Sequence, residues 1–101
     1  MEVKKITEIP PEELSNILKQ GALLRLPYLE GRLLQARDNI QHLEKKYNSS
    51  LHQIKKKGIP EDAGFQMHED FIEWEYWDDV LIKTETIVHH LRDLIEEDEV
   101  K

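Results

Sequence analysis

The strictest pattern in the chain is Leu26, Leu29, Leu33, Ala36, Ile40, Leu43 and Tyr47, spaced 3, 4, 3, 4, 3 and 4. That is the heptad-like seam of an amphipathic helix over 26–47. Trp74, Trp77, Leu81, Thr84, Val88, Leu91 and Ile95 repeat the same spacing and predict a second long helix over 67–97. The fold class expected is all-α, an antiparallel hairpin of these two helices. Leu29, Leu33, Ile40, Leu43, Trp74, Trp77, Leu81, Val88 and Leu91 form its core or a dimer seam. With Tyr76, Val80, Ile87 and Leu94 included, the apolar positions of the second helix spread over about 160° at 100° per residue. One helix partner does not need so wide a face. A second neighbour is required, either the N-terminal helix or another subunit completing a bundle as a homodimer.

The rest of the chain reads as shorter pieces. Pro10-Pro11-Glu12-Glu13 opens a short helix, since Pro is tolerated in a first turn and carboxylates suit the positive end of the helix dipole. Leu14, Ile17 and Leu18 give it a stripe, Gly21 is expected to stop it, and a connector is expected to run to Pro27. Gly31, unfavourable inside a helix, is read as marking a close backbone approach. Asn48-Ser49-Ser50 ends the first long helix and caps a short one over 51–57, which Gly58 terminates. Residues 1–9 read as a flexible arm. The acidic residues at 98–101 sit at a helix C-terminus, where the dipole disfavours them, and are expected to fray.

With 101 residues the chain is one domain, of a size at which folding buries only about two thirds of the unfolded surface. A partner subunit would therefore help. No cysteine is present, so no disulfide framework and no cysteine-based metal or nucleophile site is available, which suits a cytoplasmic protein. No apolar run reaches the roughly 18 residues of a membrane span, and no apolar core follows Met1 to Lys5, so neither membrane anchoring nor export is expected.

The net charge of −7 hides a split: residues 1–60 carry 11 Lys/Arg against 7 Asp/Glu, and residues 61–101 carry 3 against 14. The acidic half disfavours direct nucleic-acid binding. It suits either internal pairing with the basic half or a basic protein partner.

Candidate chemistry concentrates in 67–81. The helical projection sets Glu73 near the middle of the apolar face and Asp70 at its side, where a carboxylate must be paired or protonated. A hairpin brings His42, Lys45 and Lys46 towards Glu73, and Arg37 towards Asp78. Phe71 and Ile82 project to the polar side with Asp78 between them, a strip on which a partner could dock. A carboxylate metal site would use Glu69, Glu73, Glu85 and His89, but the Glu-x-x-His pairs of di-metal bundles are missing. Arg37 and His42 have the Arg-x4-His spacing of HEPN ribonucleases. Five residues apart on one helix they diverge by about 140° and would not converge within one chain. No glycine-rich phosphate loop or activated nucleophile is present, and no cofactor is expected.

Leu43-Glu44-Lys45-Lys46-Tyr47, a Gly/Pro/Asp loop and Asp70-Phe71-Ile72-Glu73-Trp74 together resemble a group of small archaeal and bacterial helical proteins. These share a Lys-Tyr…Asp-Phe-x-Glu-Trp pattern, and many are antitoxin-like members of toxin–antitoxin pairs. The likeness covers about residues 40–82, and Asn48-Ser49 stands where Gly-Met is usual. It implies a non-enzymatic interaction module that neutralises a basic toxin through an acidic, aromatic helix. Phe71, Asp78, Ile82, Asp70, Glu73 and Glu75 are the partner-binding candidates. The alternatives are the HEPN-type enzyme and the carboxylate metal protein.

Overall fold

The computed structural model describes residues 8–96. Most of the expected N-terminal arm and the expected frayed end therefore lie outside the described residues. The described chain is all-helical: α1 spans Pro11–Tyr47, α2 Leu51–Lys57 and α3 Phe65–Glu96. Helices α1 and α3 pack as the expected antiparallel hairpin.

The main departure is α1. It runs unbroken for 37 residues, so neither the stop at Gly21 nor the connector to Pro27 exists. An interior Pro removes one backbone bond and costs about 3 kcal/mol. Here Pro27 and Leu23, the residue whose carbonyl it frees, are both exposed, so water can satisfy that carbonyl. Ala22 on one side of Pro27 and Leu29 on the other are both buried, and this shared packing keeps the axis continuous. Gly31 also departs from expectation. A Cβ built there meets no atom within 4 Å, so no backbone approaches it.

The ends of the elements follow their local sequence. Glu12 and Glu13 lie in the first turn of α1 and Lys45 and Lys46 in its last, each complementing the helix dipole. Asn48 takes a left-handed conformation with φ 48°, which a short polar side chain tolerates, and its N–H donates to the Glu44 carbonyl. Ser50 and Gln53 form a reciprocal capping box at α2: the Ser50 N–H donates to Gln53 Oε1 at 2.9 Å and the Gln53 N–H to Ser50 Oγ at 3.1 Å. Gly58, at φ 80°, ends α2 in a geometry that only glycine adopts without strain. Helix α3 starts at Phe65, two residues before the expected Met67.

Two clusters hold the hairpin. Leu29, Leu33 and Val88 pack with Leu26, Leu81 and Leu91. Nearer the turn, Leu43, Leu51 and Trp74 pack with Ile40, Tyr47, Ile54 and Phe71. Trp77 is buried as well; of the seam residues Leu29, Leu33, Leu43, Trp74, Trp77 and Val88 are buried and Ile40, Leu81 and Leu91 partly so. Through Leu51 and Ile54, α2 folds against one side of the hairpin only. No helix among the described residues is long and apolar enough to cross a membrane.

Candidate functional site

Asp70 enters α3 at the turn end of the hairpin and is only 5% exposed. Its carboxylate is held from three directions. Lys46 Nζ lies 2.5 Å from Oδ2, the Tyr47 hydroxyl donates to the same oxygen at 2.5 Å, and Gln66 Nε2 donates to Oδ1 at 2.8 Å. The Tyr47 ring stacks on Trp74 with centroids 6.0 Å apart, so one aromatic side chain braces the core and delivers a donor. The bond from Lys46, helped by those from Tyr47 and Gln66, outweighs burial and lowers the Asp70 pKa to about 2. The Lys46 ammonium is correspondingly raised, chiefly by its bond to Asp70. Burial, then the bond to Asp70, raises the Tyr47 phenol. No buried side-chain nitrogen or oxygen among the described residues lacks a partner. The cluster is therefore a closed clasp between α1 and α3, with its polar groups spent on one another.

This arrangement corrects the sequence reading at Glu73. That residue is exposed, and Asp70 is the buried carboxylate. A helix turns about 100° per residue, so three positions carry Glu73 from the seam to its rim once Asp70 points inward. Arg37 pairs with Glu85 at 3.3 Å and not with Asp78. Asp78 is turned towards α2 and borders a small cavity of about 180 Å³ with Leu51, His52 and Lys55.

The two sides of the hairpin differ. On the α2 side, Lys55 meets Glu75 at 3.5 Å, Arg37 meets Glu85 and Arg92 meets Glu30 at 3.4 Å. On the other side, Phe65, Gln66, Glu69, Ile72, Glu73 and Tyr76 surround an open cavity of about 610 Å³, with Asp70 at its edge. Phe65 is 79% exposed and Ile72 62%. The Tyr76 hydroxyl accepts from Arg32 Nη2 at 3.3 Å, and the Arg32 guanidinium lies over the Trp77 ring. Neither Glu69 nor Glu73 makes an ion pair among the described residues.

The partner-binding candidates read from the sequence are therefore scattered. Phe71 was expected to face outward but is partly buried against the Leu43–Leu51–Trp74 cluster, because α2 covers that side of α3. Asp70 is locked in the clasp and Glu75 is engaged by Lys55. Ile82 remains exposed without Phe71 beside it on an open strip. Of the six, Glu73 reaches the open cavity with its side chain free. Phe65, Glu69, Ile72 and Tyr76 were missed as a group. Their spacing of 4, 3 and 4 carried the signal, but the expected helix began after Phe65.

The alternative sites are not assembled. No group of three or more His, Asp or Glu among the described residues could share a metal ion. Glu85 is paired with Arg37 and His89 with Asp93. Arg37 is likewise held by Glu85, and His42 is exposed on α1.

No protein-family model, curated protein or solved structure matches the chain.

Proposed function

We propose that the protein is a non-enzymatic interaction module, antitoxin-like in action, that neutralises a basic protein partner through the acidic and aromatic face of α3. The observation that carries this reading is the open cavity bordered by Phe65, Ile72 and Tyr76 and edged by the unpaired carboxylates Glu69 and Glu73. Exposed aromatic and branched side chains supply anchors for a partner, and flanking carboxylates speed encounter with a cationic one. The strongly acidic 61–101 segment supports a basic protein over nucleic acid as the ligand. The proposal involves no cofactor, places the protein in the cytoplasm and takes its resting state as a homodimer.

The test is affinity capture from the native cell with the wild-type chain and with Glu69→Lys/Glu73→Lys in parallel. A basic protein retained by the wild type and lost by the double variant is the expected result. Equal retention by both, or capture of acidic proteins alone, overturns the proposal.

A further inference from the structure

The face bearing that cavity continues along α3. Phe65, Glu69, Ile72, Tyr76, Val80, Lys83 and Ile87 are spaced 4, 3, 4, 4, 3 and 4, and at 100° per residue they stay within about 80° of one another. Helix α1 packs on a different side of α3, against Trp74, Trp77 and Val88, and α2 lies on the side opposite this stripe. Phe65, Ile72, Tyr76 and Ile87 are consequently 79%, 62%, 52% and 47% exposed. The breadth of the apolar surface on this helix calls for a second neighbour. The short helix expected after Pro10 does not supply it, because Pro11 to Gly21 form the first turns of α1 itself.

The chemistry of the stripe reads the same in both directions from Tyr76. Four residues away lie Ile72 and Val80, seven away Glu69 and Lys83, and eleven away Phe65 and Ile87. We infer that a second copy of this chain docks on this face with the two α3 helices antiparallel and Tyr76 on the twofold axis. Ile72 then meets the second copy's Val80, Phe65 meets its Ile87, and Glu69 meets its Lys83, twice per dimer. A parallel pairing would instead set Glu69 against Glu69 and Lys83 against Lys83. Among the described residues Lys83 forms its ion pair with Asp79, an exposed neighbour one turn away, and it can bridge to a second carboxylate. An aromatic side chain offers about 150–250 Å². Phe65, Ile72, Tyr76 and Ile87 still expose from about half to four fifths of their surface, and with Glu69, Val80 and Lys83 they supply a large part of the roughly 800 Å² per partner of a stable interface.

This inference deepens the proposed function, since the second copy's Lys83 stands where a cation of the basic partner would, and dimer and complex exclude each other. It rests on that reading only for the identity of the competitor. The dimer is measured with no partner present, so a missing partner and a missing dimer are separate results.

The experiment is light scattering of the full chain over a concentration series. The wild type is expected to dimerise, and Glu69→Lys or Lys83→Glu alone to weaken the dimer at least about tenfold. The double reversal Glu69→Lys/Lys83→Glu should restore most of the affinity, with matching melting curves at concentrations where the chain is monomeric showing that each variant is folded. Because the chain has no cysteine, Tyr76→Cys provides a second readout. A short bis-maleimide should cross-link it to a covalent dimer and should leave His89→Cys, on the α2 side, monomeric. A protein monomeric at every concentration, a double variant no tighter than the singles, or equal cross-linking at positions 76 and 89 overturns the inference. So does a dimer broken by Leu24→Lys and indifferent to Glu69→Lys, which would move the interface to the outer face of α1.

Discussion

Lys46 and Asp70, 24 positions apart, meet at 2.5 Å across the turn end of the hairpin. Because Asp70 is buried and Lys46 is half exposed, the two ends of this contact are unequal. Removing the lysine leaves a buried carboxylate still bonded to Tyr47 and Gln66. Removing the carboxylate leaves three donors, Lys46, Tyr47 and Gln66, of which the exposed Lys46 and Gln66 can turn to water.

Lys46→Met is therefore expected to destabilise the fold by about 1–3 kcal/mol, the penalty of stripping a charged hydrogen bond from a buried group. Asp70→Asn should cost a similar amount. In the Lys46→Met/Asp70→Asn double variant the losses should be less than additive. Urea unfolding of the four proteins measures this, and full additivity would mean that the contact carries no coupling.

The same carboxylate sets an acid limit. Its pKa is lowered from 3.8 to about 2 on folding, so its contribution is present above about pH 4 and is lost as pH falls through 2. At neutral pH the amount is about 2 kcal/mol by that linkage, taken as an order of magnitude. Melting curves of wild type and Asp70→Asn from neutral to acid pH should converge near the low end of this window. Curves that stay parallel would assign the acid sensitivity to other groups.

Phe71 and Phe65 provide a paired comparison. Phe71→Ala removes a ring packed on the Trp74 cluster and is expected to cost about 2–4 kcal/mol. Phe65→Ala removes a side chain that is 79% exposed and should change single-chain stability by no more than about 0.5 kcal/mol. Denaturant unfolding, run where the protein is monomeric, separates the two.

At Gly31 a methyl group would enter open space on an α-helix with no special backbone angle. Gly31→Ala is expected to stabilise the chain by up to about 1 kcal/mol through helix propensity. A loss would show that something outside the single chain presses on this position.

The hairpin and its inward seam were legible because periodicity depends only on side chains one or two turns apart. Leu29, Leu33, Trp74 and Val88 declare their face without reference to the rest of the fold. Gly21 and Pro27 misled because their cost is local: α1 continues through both, with the freed Leu23 carbonyl at an exposed residue and buried positions at Ala22 and Leu29 on either side of the proline. Phe71 misled for a related reason. On a two-helix projection it lies outside the seam, and only the folding back of α2 turns that side into interior. The sequence named both Glu73 and Asp70 as carboxylates in need of a partner; Asp70 is the one that is buried, and Lys46, expected beside Glu73, reaches Asp70 instead. A projection locates a helix face to within about one residue step of 100°, whereas Lys46 and Tyr47 select Asp70 by reach.

The clasp and the Ser50–Gln53 box lie at the closed end of the hairpin, and Lys46 and Asp70 are 24 positions apart where Leu29 and Val88 are 59 apart, so the clasp closes the shorter loop. Loop closure is entropically cheapest for short separations, and topologies rich in such contacts fold fast. Assembly should therefore begin at this end, with Trp74 settling under Tyr47, and the two long helices should then zip towards Pro11 and Glu96. Amide exchange in the native protein should run in the opposite order, fastest at the open end and slowest around Leu43 and Trp74.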